Sequence, residues 1–106
     1  MSKYLLQADY TSEGIAGLKS EGGTGRRAMF EQMFADMGGS LEAFYYGFGA
    51  EDLYMIVDLP DDAAAAAASM AVSSAGAIVA RITVLITPET IDEATRRAVN
   101  YRPPGA

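Results

Sequence analysis

The chain has 106 residues, half of them hydrophobic, with fourteen acidic and eight basic side chains and a net charge of −6; this suits one domain with a real core and is too short for two. Cysteine and histidine are both absent, which excludes disulfides and thiolate metal sites, and with them a zinc enzyme or a Ser-His hydrolase. The acidic balance, with no basic stripe, argues against nucleic acid or an anionic membrane as partner.

Lys3 to Tyr10 alternates, with Tyr4, Leu6, Ala8 and Tyr10 on one face and Lys3, Leu5, Gln7 and Asp9 on the other, which predicts a first strand. Thr11 or Ser12 caps a helix through Leu18, weakened by Gly14 and Gly17 at about 1 kcal/mol each. Glu21-Gly-Gly-Thr-Gly25 interrupts it, and Thr24 is the expected N-cap of a stronger helix. There Met29, Phe30, Met33, Phe34 and Met37 form one apolar face, the methionines acting as core filler, and Gly38-Gly39 ends it.

Two further strands, Leu41 to Phe48 and Asp52 to Leu59, are joined by a short glycine-containing turn and predict an antiparallel hairpin. Asp61 and Asp62 open a helix containing the Ala63–Ala68 run, stopped by Gly76; its small side chains let it lie close to a sheet. Ile78 to Ile86 is β-branched and reads as the fourth strand. Thr87-Pro88-Glu89 starts a third helix, expected over residues 88–99, and 100–106 should be an extended, proline-rich tail.

The order strand–helix–strand–strand–helix–strand is the α+β ferredoxin-like plait, a βαββαβ unit with an antiparallel four-stranded sheet, here forming a single domain over 1–106 with an added C-terminal helix and tail. The residues Glu21-Gly-Gly-Thr-Gly-Arg-Arg27, Leu41-Glu-Ala-Phe-Tyr45, Gly49-Ala-Glu-Asp52, Val57-Asp-Leu-Pro-Asp61 and Tyr101-Arg-Pro-Pro-Gly105 resemble the GYD-domain family, small and mostly bacterial proteins of uncharacterised function. The resemblance runs essentially full length and implies a dimeric α/β-barrel arrangement; it brings no established activity. At the Tyr-Asp pair after the family's glycine, Asp52 matches and Glu51 replaces the tyrosine, so a role resting on that hydroxyl does not carry over.

Alternation sorts the strands into a core face of Leu6, Ala8, Leu53, Met55, Val57, Ala80, Ile82 and Val84 and an opposite face of Gln7, Asp9, Asp52, Tyr54, Ile56, Asp58, Arg81 and Thr83. The face chosen by Tyr45 and Tyr46 depends on hairpin register. The second face is too apolar for water and too polar for a core. Packed against its equivalent in a homodimer or larger homo-oligomer, it would enclose a cavity with carboxylates, an arginine and tyrosine hydroxyls. The alternative is a sealed interface in which Arg81 pairs with Asp9 or Asp58.

A second candidate is Gly22-Gly-Thr-Gly-Arg-Arg27, where a helix N-terminus with Arg26 and Arg27 would hold an anion; it lacks the P-loop lysine and preceding strand. Its plainer reading is a break between helices, the arginines paired with Glu21 or Glu31. The tail could lay Tyr101 and Arg102 over a neighbouring subunit or a pocket mouth.

These features predict a homo-oligomeric protein that binds a small organic anion, or an accessory module. The ligand-binding candidates are Asp52, Tyr45, Tyr46, Tyr54, Arg26, Arg27, Tyr101 and Arg102. The alternative is a cofactor-independent isomerase, lyase or small monooxygenase using Asp58 or Asp9 as base and Arg81 with a tyrosine to stabilise an anion; a third reading is a purely structural assembly protein. No cofactor and no metal are expected, since there is no EF-hand loop or comparable acidic cluster. Met1-Ser-Lys-Tyr enters a strand without a charged-then-apolar leader, and no apolar run approaches the roughly 20 residues of a membrane span; a cytoplasmic protein is expected.

Overall fold

The structure, a computed structural model, describes residues 1–106. Its elements are β1 (Ser2–Tyr10), α1 (Ser12–Glu21), α2 (Gly23–Asp36), β2 (Ser40–Tyr46), β3 (Leu53–Leu59), α3 (Asp62–Ser74), β4 (Ile78–Leu85) and α4 (Pro88–Thr95). Side chains on a strand alternate between faces, and β1 and β3 bury every second residue: Tyr4, Leu6 and Ala8 on one, Leu53, Met55, Val57 and Leu59 on the other. They lie side by side at the centre of one sheet of order β2-β3-β1-β4, with every neighbouring pair antiparallel. Phe30 and Phe34 of α2 and Ala65 and Ala68 of α3 complete the same core, each phenylalanine contributing about 2 kcal/mol by burial. This is the ferredoxin-like plait expected from the sequence, with α1 and α2 sharing the first crossover.

Side-chain caps and turns set the helix limits. Thr11 accepts a hydrogen bond from the Gly14 amide at 3.1 Å and Asp61 one from the Ala64 amide at 2.8 Å, each occupying a donor that the first helical turn leaves free. Gly14 is a poor helix former for a packing reason: a Cβ there would lie 2.0 Å from the Ala77 carbonyl oxygen. At the end of α2 the Gly39 amide donates to the Phe34 carbonyl and the Gly38 amide to Ala35, with Gly38 at φ 81°, the Schellman closure.

Several boundaries differ from the sequence expectation. Helix α1 continues to Glu21, and α2 begins at Gly23 after Gly22 at φ 87°, so Thr24 lies inside the helix instead of capping it. The hairpin strands stop at Tyr46 and start at Leu53, because residues 47–52 form a turn in which Phe48 takes φ 57°. Helix α4 ends at Thr95, not 99; Thr95 Oγ1 donates to the Asp92 carbonyl at 2.7 Å, and an exposed helix with no packing beyond that point gains little by continuing. Val84, expected in the core, is 52% exposed, since the alanines of α3 are too short to cover it.

The sheet face away from the helices has no layer over it. Every residue from Ile86 to Ala106 is exposed, and the chain's radius of gyration is 17.0 Å against about 13 Å for a compact chain of this length. Helix α4 and the tail therefore project from the body as an arm.

Candidate functional site

Register brings one residue from each strand into a single row across the uncovered face. Tyr45 of β2 stands opposite Tyr54 of β3, Tyr54 opposite Gln7 of β1, and Gln7 opposite Arg81 of β4. The next row is Ala43, Ile56, Leu5 and Thr83, which places an apolar floor beside the polar row. The hairpin bulge at Glu42 resolves the open register: Tyr45 turns to the uncovered face, 71% exposed, and Tyr46 to the helix side.

Arg81 meets neither Asp9 nor Asp58. Its guanidinium reaches past β1 to the carboxylate of Glu51, just before β3. Glu51 is only 6% exposed, the one buried charged residue of the chain, and its Oε2 has no hydrogen-bond partner. A buried carboxylate needs a cation or donors to offset lost hydration, so Arg81 is the group that makes Glu51 tenable there. Sequence reading noted Glu51 only as a departure from a family pattern. The available signal was an acid just before a strand whose outward positions are Tyr54, Ile56 and Asp58.

The other acidic candidates separate. Asp58 lies at the far end of the face, 3.0 Å from Lys3 Nζ, which also bonds Glu42. These bonds, Glu42 first and Asp58 second, raise the Lys3 pKa above its ordinary value. Asp52 accepts the Tyr10 amide at 2.9 Å and tacks the start of β3 to the end of β1. Asp9 stands opposite Val79 on the uncovered face and takes part in none of the ion pairs, which join Lys3 to Glu42 and Asp58, and arginines to Glu21, Glu31, Glu51 and Glu93.

The glycine-rich segment is the joint between α1 and α2. Arg26 pairs with Glu21 at 3.5 Å and lies 5.1 Å over the Phe30 ring, while Arg27 faces Glu31 at 3.8 Å. Tyr46 donates to the Gly23 carbonyl at 3.2 Å, and burial, aided by the nearby Tyr10 hydroxyl, pushes its pKa up to about 12. Arg27, Phe44 and Tyr45 help line a groove of about 390 Å³ on the outside of β2. The structure does not bring Arg26, Arg27 or Tyr46 to the cross-sheet row, and it leaves Tyr101 and Arg102 out in the arm. No group of three or more Asp or Glu is arranged to hold a metal ion, and no helix is long and apolar enough to cross a membrane.

Residues 4–95 match the family model described as GYD domain. The match runs from Tyr4 of β1 through all four helices, α4 included, and stops short of the Tyr101-Arg-Pro-Pro-Gly105 tail. No curated protein and no solved structure matches the chain.

Proposed function

This chain belongs to the GYD-domain family, and we propose that it is a homo-oligomeric binding protein whose uncovered sheet face, closed by the same face of a second subunit, holds a small organic anion. The observation that carries the reading is the row Tyr45–Tyr54–Gln7–Arg81. Two phenolic hydroxyls, an amide and a guanidinium stand in line above Leu5 and Ile56, an apolar surface with a few aligned polar groups. Arginine binds carboxylates through paired N–H donors, and Glu51 already supplies one such carboxylate from within the chain. A ligand carboxylate would share the exposed Arg81 guanidinium with it, while the unpartnered Glu51 Oε2 would accept a donor from the ligand.

Native mass spectrometry of freshly purified protein tests this. The expected result is an oligomer carrying a stoichiometric extra mass, released on denaturation as an organic acid. Arg81→Ala would strand the Glu51 charge, so the informative variant is Glu51→Gln with Arg81→Ala, which should stay folded and lose the extra mass. A monomer, or retention of the ligand in the double variant, would overturn the reading.

One observation favours a catalytic version. Asp9 is a half-buried carboxylate on this face with no cationic partner, the environment in which a carboxylate acts as general base beside Arg81. Asp9→Asn would then leave ligand uptake intact and abolish its conversion; unchanged turnover would remove Asp9 from that role.

A further inference from the structure

We propose that the C-terminal arm, residues 86–106, docks into the groove between α3 and β4 of a second copy of the chain. The inference uses a different surface from the uncovered sheet face and stands whether or not that face binds a ligand.

The groove exists because of the alanine run. Tyr4, Ala65, Ala66, Met70, Ile82 and Val84 line an apolar hollow of about 320 Å³. Alanine side chains bring α3 close to the sheet but leave its edge uncovered, so Val84 and Met70 remain 52% and 67% exposed. Whatever fills this hollow must bring the bulk that α3 lacks.

The arm carries that bulk and has no place on its own body. Pro88–Thr95 is a properly started helix, with Thr87 accepting the Thr90 amide at 3.2 Å, yet it buries nothing. Eight residues are too few for a stable isolated helix in water, so α4 requires a surface to lie on. Ile91 and Ala94 fall on one side of it, three residues apart, and Val99 and Tyr101 follow, all exposed. The two prolines restrict the tail and lower the entropy lost on docking.

The arm leaves its own groove empty, so a second copy is the occupant, and charge sets which end of the arm lies where. The arm is neutral as a whole: α4 carries Glu89, Asp92 and Glu93, and Arg96, Arg97 and Arg102 follow it, with Arg97 paired to Glu93. Asp62 lines the groove and Asp61 caps the helix beside it. The basic end of the arm, Arg96 and Arg102, thus complements the acidic end of the groove at Asp61 and Asp62 while Ile91 lies toward Met70, and attraction of this kind weakens with added salt.

The chain has no cysteine, so single thiols report the contact in the full-length protein. Met70→Cys places one in the groove, Ile91→Cys one on the arm, and Lys19→Cys one on α1 as a control. Mixed and oxidised, the Met70→Cys and Ile91→Cys proteins should give a covalent dimer on a non-reducing gel. The Lys19→Cys and Ile91→Cys mixture should not, and 1 M salt should reduce the first product. Equal cross-linking in both mixtures, or none in either, overturns the proposal. So does a doubly substituted Met70→Cys/Ile91→Cys chain that forms only an intrachain link, because the arm then folds back on its own groove.

Discussion

Tyr46 shows how far a side chain's chemistry is decided by which way its strand faces. Its neighbour Tyr45 lies in solvent, whereas Tyr46 turns inward, bonds the Gly23 carbonyl and packs edge-on to Phe44, with ring centroids 5.2 Å apart. Its folded pKa of about 12 lies above the ordinary tyrosine value of 10.0, so its contribution to stability is complete below pH 10 and is lost as pH rises toward 12. Lys3 and Tyr4 are shifted in the same direction, Lys3 chiefly by Glu42 and Tyr4 by the 2.6 Å bond to Asp62. Denaturation followed by circular dichroism should therefore show stability falling across pH 10 to 12. Tyr46→Phe should flatten part of that fall while leaving neutral-pH stability within about 1 kcal/mol; an unchanged alkaline profile would contradict the assignment.

At the scale of elements, α3 combines strong propensity with weak covering power. Its alanines give the best intrinsic helix formation, and Asp61 anchors the first turn, but only Ala65 and Ala68 are buried. With so little side-chain packing, the cap carries a larger share of the helix's stability than it would in a leucine-rich helix. Asp61→Ala should cost about 1 kcal/mol, lowering Tm by roughly 5 °C for a domain of this size. A scan showing no change would mean that sheet contacts alone hold α3. Helix α2 is the opposite case: Phe30 and Phe34 are wholly buried and stacked, with ring centroids 6.1 Å apart, so its stability resides in packing.

For the whole molecule, the decisive fact is the division into body and arm. All of the buried residues lie between Tyr4 and Ile78, so the body's core owes nothing to residues 87–106. A chain ending at Ile86 should unfold in urea with a free energy within about 0.5 kcal/mol of the full chain, measured at concentrations low enough to be independent of dilution. A larger loss would mean that the arm supports its own body.

Alternation in β1 and β3, the caps at Thr11, Asp61 and Thr87, and the glycine stops at Gly38 and Gly76 were legible in the chain, because strand period and helix termination depend on neighbours within a few residues. These local signals were enough to define the plait and the membership of its two faces. Tertiary structure alone decided the rest. The bulge at Glu42 turned Tyr45 outward, a one-residue slip that no alternation pattern announces. The partner of Arg81 became Glu51 instead of Asp9 or Asp58, because three adjacent strands had to assemble before their side chains could meet. The exposure of Val84 followed from how little the alanines of α3 reach across, a matter of distance between layers and not of residue type. The fold rests on short-range rules, whereas the candidate site depends on which distant residues the sheet aligns.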